Sequence, residues 1–422
     1  MNAPVASTQS VVETLKTAAG IDLWLVRSPG LPLMVMDFAF PGGSRLDPAD
    51  LAGLANFMSG MLDEGAGHLD SDAFQSALAD HAISLRFDAS RDEFRGTMRC
   101  LASKGKEAFD LLRLALTEPH FEKGAVERVR GQILAGLKSD MQSPDEICRK
   151  LFVSKAFPSH AYGWPVKGDM ASVAALSSAA MKQHMPLLLQ RHELKVVLVA
   201  DMSAAEAAKA VDAVFGTLPV GNKTDETPCV MSGLGTVETI AMDVPQTVLR
   251  FGGIGLMRHD PDFIAATVVN HILGGSAFTS RLFLEVREKR GLAYGVSSML
   301  IPYTQTAIHM GGTATKNERA AESLSVIRDE IQKLADFGPT AEEHEAAIQF
   351  LTGSYPLRFD TSPKIAGEYL RVALDGFGPD YVTIRNSLFE RLTFEDLART
   401  AKRLYGDGKM LVAAVGQPVD LV

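Results

Sequence analysis

The sequence repeats itself at long range, and that repeat limits the fold more than any other feature. Shifted by 213 positions, the first half falls on the second at several landmarks. Phe38 meets Phe251, Asp47-Pro48 meets Asp260-Pro261, and Ser84 meets Ser297. The helix expected to begin near Lys104 meets one expected near Asn317. The order strand, helix, helix, hairpin, helix recurs over about 80 residues. Identity between the halves is low, so the shared order of elements carries the inference. It implies a tandem duplication of an α+β domain of about 200 residues, each copy an antiparallel sheet with helices packed on one face.

Local signals divide the chain further. The small, polar opening, 1–20, reads as a flexible N-terminal arm. IDLWLVRS and LPLMVMDFAF read as strands joined by a Pro-Gly turn. A helix is expected over about Leu51 to Asp63, and another from near Asp70, with Asp70 or Ser71 as its cap. AISLRFDAS and DEFRGTMRCLA alternate as a hairpin does, and helices fill about 104–156, with Pro144 at a helix start. KVVLVA is a short buried strand, and SAAEAAKAVDAVFG a helix with a Gly stop. The polar, Gly/Pro-containing stretch 216–235 reads as a linker. The two domains are therefore expected at 21–215 and 236–422.

Composition removes several function classes. Of 422 residues, 46% are hydrophobic and 22% charged, the balance of a globular protein with ample core. The net charge of -9 argues against a nucleic-acid or anionic-membrane binder, since both need a basic surface. Cys100, Cys148 and Cys229 are too few and too scattered for a disulfide framework or a CxxC zinc site. No apolar run approaches the roughly 18 residues of a membrane span. The first 30 residues show no basic-then-apolar export signal, although a mature chain that had lost one would read the same.

Common catalytic signatures are missing: no GxSxG elbow, Walker loop, HExxH or CxxC pair occurs. The ten histidines are dispersed, and His344 in TAEEHEAA reads as a solvated helix residue. The GGIG at Gly252–Gly255 lies in a strand-like run, where close backbone packing explains it better than a dinucleotide site. The informative segment is LGGSAFTSRLFLEVREKRGLAYGVSS, Leu273 to Ser298. It resembles the second-half signature of the pitrilysin-type zinc peptidases (the inverzincins), in particular their mitochondrial-processing-peptidase-like and bacterial two-subunit branch. The resemblance extends over almost the whole chain, duplicated halves and linker included.

In that family a first-domain helix carries H-x-x-E-H, which puts two zinc-binding His and a water-activating Glu on one helical face, and a distant Glu completes the ligands. The matching stretch here is GLANFMSGML from Gly53 to Leu62. Asn56 and Gly60 stand at the two His positions, Ser59 at the Glu, and Gly136 at the distal Glu, the last within a residue or two. Neutral Asn and Ser bind zinc poorly and Gly has no side chain, so the chain is expected to bind no catalytic zinc itself.

The resemblance also implies a substrate-holding Arg and Tyr, seven positions apart, which match Arg287 and Tyr294 in REKRGLAY, with Arg290 as the fallback register. Both are hydrogen-bond donors suited to a carbonyl oxygen that gains negative charge as water attacks. A purely structural account also exists: the cations close a helix ended by Gly291, and Tyr294 opens a strand. In two-subunit members one chain holds the zinc motif and the other the Arg/Tyr pair, and the two close as halves of a clamshell. The resemblance thus implies a non-catalytic subunit of a heterodimeric zinc peptidase, of bacterial cytoplasm or periplasm, acting on unfolded or short peptides. Its partner would be an HxxEH-bearing chain of similar length that holds the zinc, with no nucleic acid or membrane involved. The alternatives are a scaffold pseudo-peptidase, like the core subunits of a respiratory complex, and a free-standing peptide-binding module.

Overall fold

The computed structural model describes residues 12–223 and 227–421. They form two compact units, neither contiguous in sequence. One holds the described residues of 1–134, 166–224 and 356–383; the other holds those of 135–165, 225–355 and 384–422. Both are α+β, as the duplication predicts. The first sheet has six strands: β1 (Val12–Lys16), β2 (Asp22–Arg27), β3 (Leu33–Pro41), β4 (Ser84–Ala89), β5 (Glu93–Leu101) and β6 (Lys195–Ala200), in the order β1-β2-β6-β3-β5-β4. The second has five: β7 (Val237–Ala241), β8 (Gln246–Ile254), β9 (Ala293–Pro302), β10 (Ala307–Lys316) and β11 (Leu411–Gly416), in the order β7-β11-β8-β10-β9. Neighbours run antiparallel except β2 with β6 and β7 with β11.

The repeat is visible in the pairing register. Ser84 faces Arg99 across β4/β5, and Ser297 faces Gly312 across β9/β10, each residue 213 positions from its counterpart. In both sheets a phenylalanine lies over a cross-strand glycine. A Cβ on Gly96 would come within 2.0 Å of the Phe38 ring, and one on Gly311 within 2.3 Å of Phe251.

Strand β3 is apolar almost throughout because both its faces are covered. Phe38 and Phe40 pack on Phe215, which ends the helix Ala204–Phe215. Val35 and Ala39 point the other way, where the helix Ser362–Leu374 covers them with Ala366, Tyr369 and Leu370. The second sheet is covered likewise by the helix Pro144–Ala156, whose Cys148, Phe152 and Ala156 meet Val248, Leu411 and Ala413. Each unit thus carries one helix on its second sheet face, drawn from a segment distant in sequence. Strand β4 keeps a clean alternation: Leu85 is buried while Arg86 and Asp88 are exposed. The cysteines act as small apolar residues: all three are free, and burial pushes Cys100 up to about 11 and Cys148 to about 12.

Three local expectations need correction. The predicted arm, 1–20, contains β1, which pairs with β2 from Val12↔Val26 to Lys16↔Asp22; residues 1–11 lie outside the described residues. The first helix is shorter than predicted, Leu54–Ser59, because Gly53 enters it at φ 95 and Gly60 closes it. The predicted linker is partly packed: Cys229 N–H donates to Gln305 O at 2.7 Å and Met231 is buried, while 224–226 lie outside the described residues. Among the described residues no helix is long and apolar enough to cross a membrane.

Candidate functional site

The helix Leu54–Ser59 is held from inside the first unit. Asp47 accepts Gly53 N–H and Ala55 N–H, each at 3.0 Å, and satisfies two donors that the helix start would otherwise leave unpaired. Phe57 and Met58 are buried, and the Arg130 guanidinium lies 5.5 Å from the Phe57 ring centroid. The positions matched to zinc ligands face outward from this anchor. Asn56 and Ser59 are partly exposed, and the Ser59 hydroxyl donates to Asn56 O at 2.7 Å. Gly60 is exposed, and a Cβ there would meet Val129 Cγ1 at 3.3 Å. Gly136, on the helix Lys123–Asp140, is exposed with open space where a side chain would begin.

Nearby carboxylates are committed elsewhere. Glu64 accepts from Arg128 at 2.8 Å and from the Ser71 hydroxyl at 2.6 Å, and the Arg128 guanidinium holds its carboxyl below the usual range. Among the described residues no group of three or more His, Cys, Asp or Glu side chains is placed to hold a metal ion. The helix offers no side chain able to ionise a water molecule.

The second unit presents a different surface. After Ser280 the chain winds into a widened helical turn, Phe283–Glu288, with Lys289 N–H reaching back five residues to Leu284 O at 3.0 Å. Such wide turns recur at functional sites. Gly291, at φ 57, ends the helix and turns the chain into β9. The middle of β9 is tied to the helix Phe263–Asn270. The Ser298 hydroxyl donates to Asn270 Oδ1 at 2.8 Å, and Asn270 Nδ2 donates to Ser298 O at 3.2 Å.

This corner brings Arg287 and Tyr294 together. The Arg287 guanidinium lies 4.7 Å from the Phe283 centroid and 4.8 Å from that of Tyr294, within cation–π range of both. Tyr294 is 86% exposed, which leaves its phenol free to meet a ligand. The fallback, Arg290, is tied to Glu285: its guanidinium donates to Glu285 O at 3.0 Å and pairs with the Glu285 carboxylate, as Lys289 does. Arg287 has only a 3.7 Å contact with Glu288. Its rings orient it and leave its donors available. Sequence reading missed Phe283, although it stands four positions before Arg287, the spacing at which helical side chains meet. It also missed Phe278, 69% exposed and edge-on to Phe283 at 5.4 Å. The corner can donate hydrogen bonds to an anionic or carbonyl oxygen.

Comparison with known proteins places both halves of the chain in one family. Residues 36–169 match the model described as Insulinase (Peptidase family M16), and 175–351 that described as Peptidase M16 inactive domain. The non-peptidase homolog YmxG of Helicobacter pylori is 27% identical over 333 residues, 78% of this chain and 77% of its own. The solved M16 inactive domain from Pseudomonas fluorescens superposes with a TM-score of 0.90 at 26% identity, covering 97% of this chain and 98% of that one. A chain of complex III2 from Candida albicans gives a TM-score of 0.80 at 14% identity over 98% and 97% of the two chains, a likeness of fold alone. With both halves matched in order, the chain belongs to the pitrilysin-type, M16 peptidase family.

Proposed function

We propose that this chain is the non-catalytic subunit of a heterodimeric zinc peptidase, and that Arg287 and Tyr294 act in the active site of an HxxEH-bearing partner. The observation that supports this best is the corner itself. Two rings steer Arg287, its neighbours Lys289 and Arg290 share the Glu285 carboxylate, and the Tyr294 phenol is exposed. A fold kept only for assembly has no need of that arrangement. Asn56, Ser59, Gly60 and Gly136 provide no ligand set, so the zinc is the partner's and this chain is inactive alone. Unfolded or short peptides are the substrates, docking as an added strand on a sheet edge. The scaffold reading has the fold likeness to the complex III2 chain in its favour.

Co-expression with a chain of similar length bearing HxxEH tests this. The two should elute as one complex, hold about one zinc that is lost when the partner's His residues are replaced, and cleave an unfolded peptide that neither chain cleaves alone. Separate elution at micromolar concentration, or zinc in this chain removed by mutating 54–60, overturns the proposal.

A further inference from the structure

A cavity of about 260 Å³ lies within the second unit, away from the Arg287 corner in sequence and in lining. His309 of β10 lines it, together with residues at the end of β8 and just beyond the helix Phe394–Tyr405. His309 is only 4% exposed and meets Tyr405 edge-on at 4.9 Å. Among the described residues no group hydrogen-bonds its ring nitrogens, which remain open to the cavity; the Tyr405 hydroxyl is buried without a partner. The place for the ring exists only because residue 253 is glycine: a Cβ there would sit 2.7 Å from His309 Nε2. An imidazole with no protein partner at a cavity wall is free to hydrogen-bond an occupant of that cavity.

The remaining walls say what kind. Leu234, Leu256 and Leu404 are aliphatic, and Arg403 is committed to Asp260 and Asp262 at 2.7–2.8 Å. Asp407, whose carboxylate also lines the cavity and faces His309, accepts Lys409 N–H at 3.0 Å, while the Lys409 ammonium has no ion-pair partner among the described residues. Burial holds His309 down at about 4, so at neutral pH it offers one donor and one acceptor and no charge. We propose that this cavity is a binding site for a small organic anion, its negative group held by Lys409, its apolar body against the leucines, and a distal hydrogen-bonding group against His309.

Calorimetric titration of the full chain with 4-hydroxyphenylacetate tests each part. One saturable site is expected. Phenylacetate, which lacks the distal hydroxyl, and 4-hydroxyphenylacetamide, which lacks the charge, should each bind roughly tenfold more weakly. Lys409→Met should erase the advantage of charge, and His309→Phe the advantage of the hydroxyl. Lys409 is exposed, so its variant keeps the proposal testable even if His309→Phe fails to fold. N-acetyltyrosine distinguishes two sources of the same chemistry: tighter binding than the free acid assigns the site to peptide C-termini, and weaker binding to a free small acid. The absence of saturable binding by any probe at millimolar concentration, or affinities unchanged by Lys409→Met, overturns the proposal.

Discussion

The helix Leu54–Ser59 and the corner Phe283–Tyr294 are both held firmly by buried groups, but they present opposite things to the outside. The first is anchored by Asp47, Phe57 and Met58, and its outward positions carry Asn, Ser and Gly. The second is anchored by Asn270, Ser298 and Phe283, and its outward positions carry a guanidinium and a phenol. On the proposed function, the frame of the zinc-motif helix survives here without its chemistry, whereas the corner keeps frame and donors together. Anchoring and function occupy different residues in each region, so mutations should separate them.

The largest effect on stability should come from the anchor of the silent helix. Asp47→Ala strips the acceptor from two backbone N–H groups and leaves His184, 3.5 Å away and buried, without its carboxylate. A loss of about 2–4 kcal/mol is expected in urea unfolding, combining a lost cap with unpaired buried groups. A loss below about 1 kcal/mol would mean that the helix is held by packing alone.

A smaller effect is expected on acidification of the second unit. Arg403 and Arg399 hold the carboxyls of Asp260 and Asp262 below their ordinary value of 3.8. A carboxylate whose folded pKa is depressed stabilises the fold above its unfolded pKa, and the benefit disappears as pH falls through the folded value. Stability should therefore decline below about pH 4, by at most about 1 kcal/mol for these half-exposed arginines. Arg403→Met should flatten that decline; an unchanged acid limb in the variant would assign it to other carboxylates.

The smallest effect belongs to the vacated motif positions. Asn56→Ala with Ser59→Ala removes one partly exposed local hydrogen bond and should change stability by less than about 0.5 kcal/mol. Heterodimer activity should stay within about twofold of the wild type. A larger loss in kcat would show that the first region still takes part in the chemistry.

Much of this was legible in the sequence, for identifiable reasons. The duplication showed because the elements recur in one order at one offset, and Phe38 and Phe251 mark the same place in β3 and β8. The cap at Asp70 and the helix start at Pro144 followed from local rules and occur as expected. Hidden from view was which sheet the Pro144–Ala156 helix covers: its apolar stripe shows that it packs, and only the tertiary contacts show that the cover is Val248, Leu411 and Ala413. Strand β1 was missed because an edge strand of five residues buries little and looks like a polar tail. At the corner, the spacing alone left Arg287 and Arg290 as alternatives. In the structure Glu285 pairs with Lys289 at the helical i,i+4 spacing and also with Arg290, five positions on, a contact that depends on how the helix ends at Gly291.

If the corner works in a partner's active site, Tyr294→Phe in the reconstituted heterodimer is the sharpest probe of it. The exposed ring stays and the one hydrogen-bond donor goes, so assembly, melting temperature and zinc content should be unchanged. Removing a donor to a developing oxyanion typically costs about 10²–10³ in kcat, or roughly 2.7–4 kcal/mol. We expect a loss of that size in kcat, a similar loss for Arg287→Ala, and a double variant that loses less than the product of the two because both donors would address one oxygen. A heterodimer lacking both groups yet active within about twofold of the wild type would contradict it and leave the chain a scaffold.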